Sequence, residues 1–133
     1  MPKSSEPRPT STIVVGYSSK PEGRAALQRA IAEAELRHSS LIVVHTSPED
    51  ELAGLRSELE SAGVAHEVRQ APDLLDPAEE LITTADVNSA EFIVIGLRRR
   101  SPVGKLLLGS NAQRVLLDAS CPVLAVKAEP VGR

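Results

Sequence analysis

The sequence predicts an α/β fold, a single open, doubly wound parallel sheet with helices on both faces. Two observations predict it. Four short runs, TIVVGY (12–17), LIVVH (41–45), FIVIG (92–96) and VLAVK (123–127), are rich in β-branched residues and apolar on both faces, as strands inside a covered sheet are. Between them apolar residues recur every three or four positions, the period of a helix that buries one stripe. The order reads βαβαβαβαβ, and strands separated by helices pair in parallel.

Each element has its own local signal. The first helix is entered through Ser19-Lys20-Pro21-Glu22, a capping-box pattern with Ser19 as cap, and its stripe is Leu27, Ile31 and Ala34 beside Ala26 and Ala30. The second is expected to start at Ser47-Pro48, with Pro48 in the first helical position, to bury Leu52, Leu55, Leu59 and Ala62, and to stop at Gly63. VAHEVR (64–69) alternates polar and apolar residues, which places it at a sheet edge. Asp76-Pro77-Ala78-Glu79 opens a third helix with Ala78, Leu81, Ile82 and Ala85 inward. A Gly- and Arg-containing loop follows FIVIG. Ser110-Asn111-Ala112-Gln113 then caps a last helix that turns Ala112, Val115, Leu116 and Ala119 inward.

One domain over residues 12–127 is expected, with a Pro-rich disordered tail at 1–11 and another tail at 128–133. Tyr17 and Phe92 are the only aromatic residues, so the core is aliphatic and base stacking on aromatic platforms has little to work with. Net charge is −3, which argues against nucleic acid or an anionic membrane surface as partner. Cys121 is the only cysteine, so no internal disulfide can form. With no apolar run near the length of a membrane span and no secretory signal, the cytoplasm is the expected compartment. His38, His45 and His66 lack ligand spacing, and no metal or catalytic set can be assigned. His45, closing the second strand, either lines a ligand cleft or serves packing. The Arg98-Arg99-Arg100 run reads as a solvated loop.

A ligand of an open parallel sheet sits beyond the carboxyl ends of the strands, where chain order reverses. After the fourth strand comes Gly96-Leu-Arg-Arg-Arg-Ser-Pro-Val-Gly104-Lys-Leu-Leu-Leu-Gly109-Ser110. Gly96 and Gly109 let backbone approach an anion, and Gly109-Ser110 stands at a helix start that favours phosphate. The alternative is that both glycines serve turns and Ser110 only a cap. Neither GxxxxGK[ST] nor GxGxxG occurs.

The same loop resembles the nucleotide motif of the universal stress protein family: strand, Gly, two residues, Gly, nine residues, Gly-Ser/Thr. Gly96, Arg99 in place of the middle glycine, and Gly109-Ser110 match it at the right interval. IVVGYSSKPEGRAAL, DPAEELI (76–82) and CPVLAVK (121–127) resemble other parts of that family. The resemblance implies a Rossmann-like, five-stranded sheet in the order 3-2-1-4-5 and a homodimer through residues 123–127. It also implies bound ATP or another adenine nucleotide, with Mg only alongside ATP. Site residues carried over are Ser18, Val44, Gly96, Arg99, Gly109, Ser110 and Asn111.

Two positions depart from the family's nucleotide-binding pattern. Ser18 stands where binding members carry an Asp after the first strand. Arg99 either keeps the loop off the phosphates or pairs with one through its guanidinium. The expected function is a regulatory protein binding an adenine nucleotide with little or no turnover. The alternatives are a nucleotide-free dimeric interaction module of the same family and, third, slow ATP hydrolysis.

Overall fold

The computed structural model describes residues 11–72, 76–99, 106–107 and 109–128. Along the chain run β1 (Thr12–Tyr17), α1 (Pro21–Arg37), β2 (Ser40–His45), a 3-10 turn (Glu49–Glu51) and α2 (Ala53–Ala62). Then come β3 (His66–Gln70), α3 (Pro77–Val87), β4 (Phe92–Arg99), β5 (Leu106–Leu107), α4 (Ser110–Asp118) and β6 (Val123–Lys127).

Five strands pair in parallel in the order β3-β2-β1-β4-β6, so the expected order is the observed one, with β6 as its fifth member. Chain order reverses between β1 and β4. The register explains why each run has its composition. Val68, Val43, Val15, Val94 and Leu124 lie side by side across the sheet, facing the core under α1 and α2. The next row, Ile42, Val14, Ile93 and Val123, faces the core under α3 and α4, and ends on β3 at Glu67. Central strands therefore need apolar side chains at every position, whereas β3 needs them on one face only.

Glycine controls how closely α1 approaches the strand ends. A Cβ on Gly96 would lie 1.9 Å from the Glu22 carbonyl oxygen, and one on Gly23 2.3 Å from the Ser18 amide nitrogen. Backbone fills both places, so neither residue can carry a side chain without moving α1.

Several local expectations are corrected. Lys20, not Ser19, is the N-cap of α1 and no side chain caps it; Pro21 takes the first helical position, where its missing amide is harmless, and this shifts the start by one residue. The second helix does not begin at Ser47-Pro48. The chain makes a 3-10 turn there, closed by the Glu51 amide on the Pro48 carbonyl at 3.0 Å, and α2 follows the buried Leu52. Ser110 is the first residue of α4 and Gly109 its cap, because the Gln113 amide already bonds the Gly109 carbonyl at 3.0 Å. Leu116 is exposed instead of inward, as is Leu117; only Val115 of α4 is fully buried. β4 runs on to Arg99, and Leu106–Leu107 return antiparallel against Arg98 and Arg99, so Arg98 and Arg99 are strand residues rather than loop.

The Asp76 cap is as expected, its Oδ1 accepting the Glu79 amide at 2.7 Å. Gly63 ends α2 with φ of 74°. Of the expected tails, 1–10 and 129–133 lie outside the described residues; Ser11 and Ala128 are bonded to the sheet through Ser40 and Leu97.

Candidate functional site

Where β1 and β4 part company, their carboxyl ends open into a cleft of about 250 Å³. Gly16, Ile95 and Gly96 contribute strand ends to it, Ser18, Glu22 and Gly23 the α1 side, and Val44 and Thr46 the end of β2. Pro77 and Leu81 of α3, with Asn111, Ala112 and Val115 of α4, form the opposite wall. Leu81 reaches Gly16 closely enough that a Cβ there would sit 3.1 Å from its Cδ1. Among the described residues the lining is thus largely apolar, with the hydroxyls of Tyr17, Ser18 and Thr46, the Asn111 amide and one carboxylic acid, Glu22, as polar elements.

The helix starts that border the cleft differ in charge. α3 is capped by Asp76 and carries Glu79 and Glu80 in its first turn. α4 has neither a side-chain cap nor an acidic residue in its first turn, so Ser110, Asn111 and Ala112 present backbone amides that the helix itself cannot satisfy. The dipole adds partial positive charge at the same end.

Of the residues expected at the site, Ser18, Val44, Gly96 and Asn111 line this one cleft. Gly109 and Ser110 are exposed and sit at the start of α4, next to Asn111, without lining it. Arg99 lies three residues past Gly96 on β4; its side chain is outside what the structure describes. Gly96 owes its lack of a side chain to α1, whatever else it does. His45 is buried, its carbonyl accepting the Ala71 amide at 2.8 Å, and it does not line the cleft.

Tyr17, Glu22, Gly23, Pro77, Leu81 and Ala112 were not singled out from sequence as site residues. Gly23 had a usable signal: glycine in a helix otherwise rich in alanine is a poor helix former and implies close approach. Leu81 had none, since a core leucine and a cleft leucine read alike. Elsewhere, burial and then the nearby Asp86 push the Cys121 thiol up, which suits an unreactive side chain. Among the described residues no group of His, Cys, Asp and Glu is placed to hold a metal ion, and no helix is long and apolar enough to cross a membrane.

Residues 9–127 match the model of the universal stress protein family. A universal stress protein from Mycolicibacterium smegmatis is 47% identical over 126 residues, spanning 86% of this chain and 96% of its own. Among solved structures, the universal stress protein from Archaeoglobus fulgidus in complex with dAMP superposes with a TM-score of 0.64 at 28% identity, over 88% of this chain and 98% of that one. A universal stress protein in complex with cAMP superposes with a TM-score of 0.68 at 27% identity, over 87% and 95% respectively.

Proposed function

The chain belongs to the universal stress protein family, and on that premise we propose that it is a regulatory protein of the cytoplasm that binds an adenine nucleotide, ATP or AMP, with little or no turnover. The observation that carries this reading is the cleft at the reversal point with the uncapped start of α4 beside it. Two similar structures hold dAMP and cAMP, which supports the same class of ligand. At about 250 Å³ the cleft is just below the usual range for drug-sized ligands, so a nucleoside fills it and a phosphate chain leaves through its mouth.

The base and ribose are assigned to the space between Ser18 and Val44, against Leu81 and Ile95. The phosphates are assigned to the amides of Ser110 and Asn111, beside Gly96 and Gly109. Ser18 offers one hydroxyl where a carboxylate would accept two hydrogen bonds. Arg99 is assigned to the phosphate chain, where a charge-assisted contact contributes about 1.5–3 kcal/mol; Mg accompanies ATP only.

Titration calorimetry with adenosine, AMP and ATP tests it, together with mass spectrometry of any small molecule that co-purifies. Arg99→Gly should weaken ATP about ten- to a hundredfold and adenosine far less. Tighter ATP binding in that variant would mean that Arg99 blocks the site.

The sheet supports a second element of the proposal. β6 pairs with β4 alone among the described residues, yet its Leu124 and Val126 are apolar and only half-buried. We assign a second copy of the chain to that edge, pairing antiparallel through residues 123–127 about a two-fold axis. Sedimentation should give a dimer for the wild type and monomer or aggregate for Leu124→Lys; a wild-type monomer at micromolar concentration refutes the dimer. If calorimetry finds no nucleotide while the dimer stands, the chain is a nucleotide-free interaction module.

A further inference from the structure

The acidic start of α3 and the acid-free start of α4 meet beside the cleft, and one side chain joins them. Arg114, one turn after Asn111 on α4, donates from Nη1 to Asp76 Oδ2 at 2.9 Å and from Nη2 to Glu79 Oε1. Its Nε also lies 3.5 Å from Asp118 Oδ2. Asp76 is meanwhile occupied through Oδ1 as the cap of α3. Residues next to both ends of the tie line the cleft: Pro77 follows Asp76 directly, and Asn111 and Ala112 begin the turn that carries Arg114. Among the described residues no lysine, arginine or histidine lines the cleft, and Glu22 does.

A nucleotide phosphate chain approaching α4 therefore passes close to a helix start with three carboxylates, Asp76, Glu79 and Glu80, of which Arg114 holds the first two. In water two like charges a few ångströms apart repel by about 1 kcal/mol, and by more near a protein surface. We infer that Arg114 is a positioning and specificity-determining residue for the nucleotide. It cancels the charge of Asp76 and Glu79 toward the ligand and ties α3 to α4, so that the first-turn amides of α4 keep their place at the mouth. The inference rests on the adenine-nucleotide reading above.

The two roles leave different signatures. A wall held slack weakens every ligand alike, whereas two uncovered carboxylates weaken ligands in proportion to their charge. Calorimetry on the full chain with adenosine, AMP and ATP, at low and high salt, separates them. Arg114→Met should lower ATP affinity about five- to tenfold at low salt, AMP less, and adenosine by no more than about twofold; the spread should shrink as salt screens it. Arg114→Lys should keep most of the ATP affinity. Adding Glu79→Gln to Arg114→Met should restore most of it while Asp76 still caps α3. Equal losses for all three ligands overturn the specificity role, and no loss for ATP overturns both roles, nucleotide binding staying intact in each case. A wild type that gives no heat with any of the three overturns the nucleotide reading itself, and the role of Arg114 falls with it.

Discussion

The two walls of the cleft are held in place by different physics. The α1 side is fixed by backbone against backbone, where Gly96 and Gly23 admit Glu22 and Ser18 at distances no side chain would allow. The opposite side is carried by α3 and α4. α4 buries Val115 fully, rests Ala112 and Ala119 against the same apolar cluster as α3, and is tied to α3 at the surface through the half-exposed charges of Arg114, Asp76 and Glu79. A steric lock tolerates no substitution, because close-packed atoms cannot yield. An ion-pair tie at the surface is weak and responds to salt and to charged ligands. The first wall thus supplies a fixed template and the second an adjustable one.

The sharpest way to break the comparison is to make one substitution at two glycines. Gly96→Ala places a methyl 1.9 Å from the Glu22 carbonyl oxygen and should cost about 3 kcal/mol or more, seen as a large fall in thermal midpoint or as insoluble protein. A Gly96→Ala variant of normal stability would show that α1 is not locked. On the other wall, Asp76→Ala removes the α3 cap and should cost about 1 kcal/mol by denaturant unfolding. Gly109→Ala should cost no more than about 1 kcal/mol, the difference between the two residues as a cap, since φ there is −68° and a Cβ meets no described atom within 4 Å. A large loss at Gly109 would remove the contrast between the walls.

The smallest effect expected is a pH dependence far from the cleft. Hydrogen bonds from Arg37 and then Arg29 hold the Glu33 carboxyl below its ordinary value. A depressed carboxylate contributes stability that is complete above its unfolded pKa and fades as pH falls through the lower folded value. Glu33→Gln should therefore narrow the gap between stability at neutral pH and in acid. An unchanged acid profile would make this pair electrostatically silent.

The fold was legible because parallel strands inside a covered sheet carry apolar middles, as residues 13–15, 41–44, 92–95 and 123–126 do. Asp76 was legible as a cap because Pro77 and Glu79 agree with it. Ser19, Ser47 and Ser110 misled for one reason: a serine before an apolar run is compatible with several helix starts, and the neighbouring Pro21, the burial of Leu52 and the Gly109 carbonyl chose among them. At the site, Ser18, Val44, Gly96 and Asn111 were legible from strand-end position and family resemblance. The tie through Arg114 was not, since it depends on a contact between residues distant in sequence, Arg114 with Asp76; the α1 lock left only the one signal of a glycine at position 23 in an alanine-rich helix.

The two edges of the sheet carry a consequence for how the protein could polymerise. Pairing β6 of one molecule with β3 of the next would repeat without end and build a filament, since a head-to-tail contact does not close. β3 is unsuited to that role. Its middle holds Glu67 and Arg69, ion-paired to each other along the strand, and a neighbouring apolar strand would have to desolvate both charges. Growth through that end is thereby suppressed, and any association through β6 is steered to the one self-matching arrangement that terminates after a single addition.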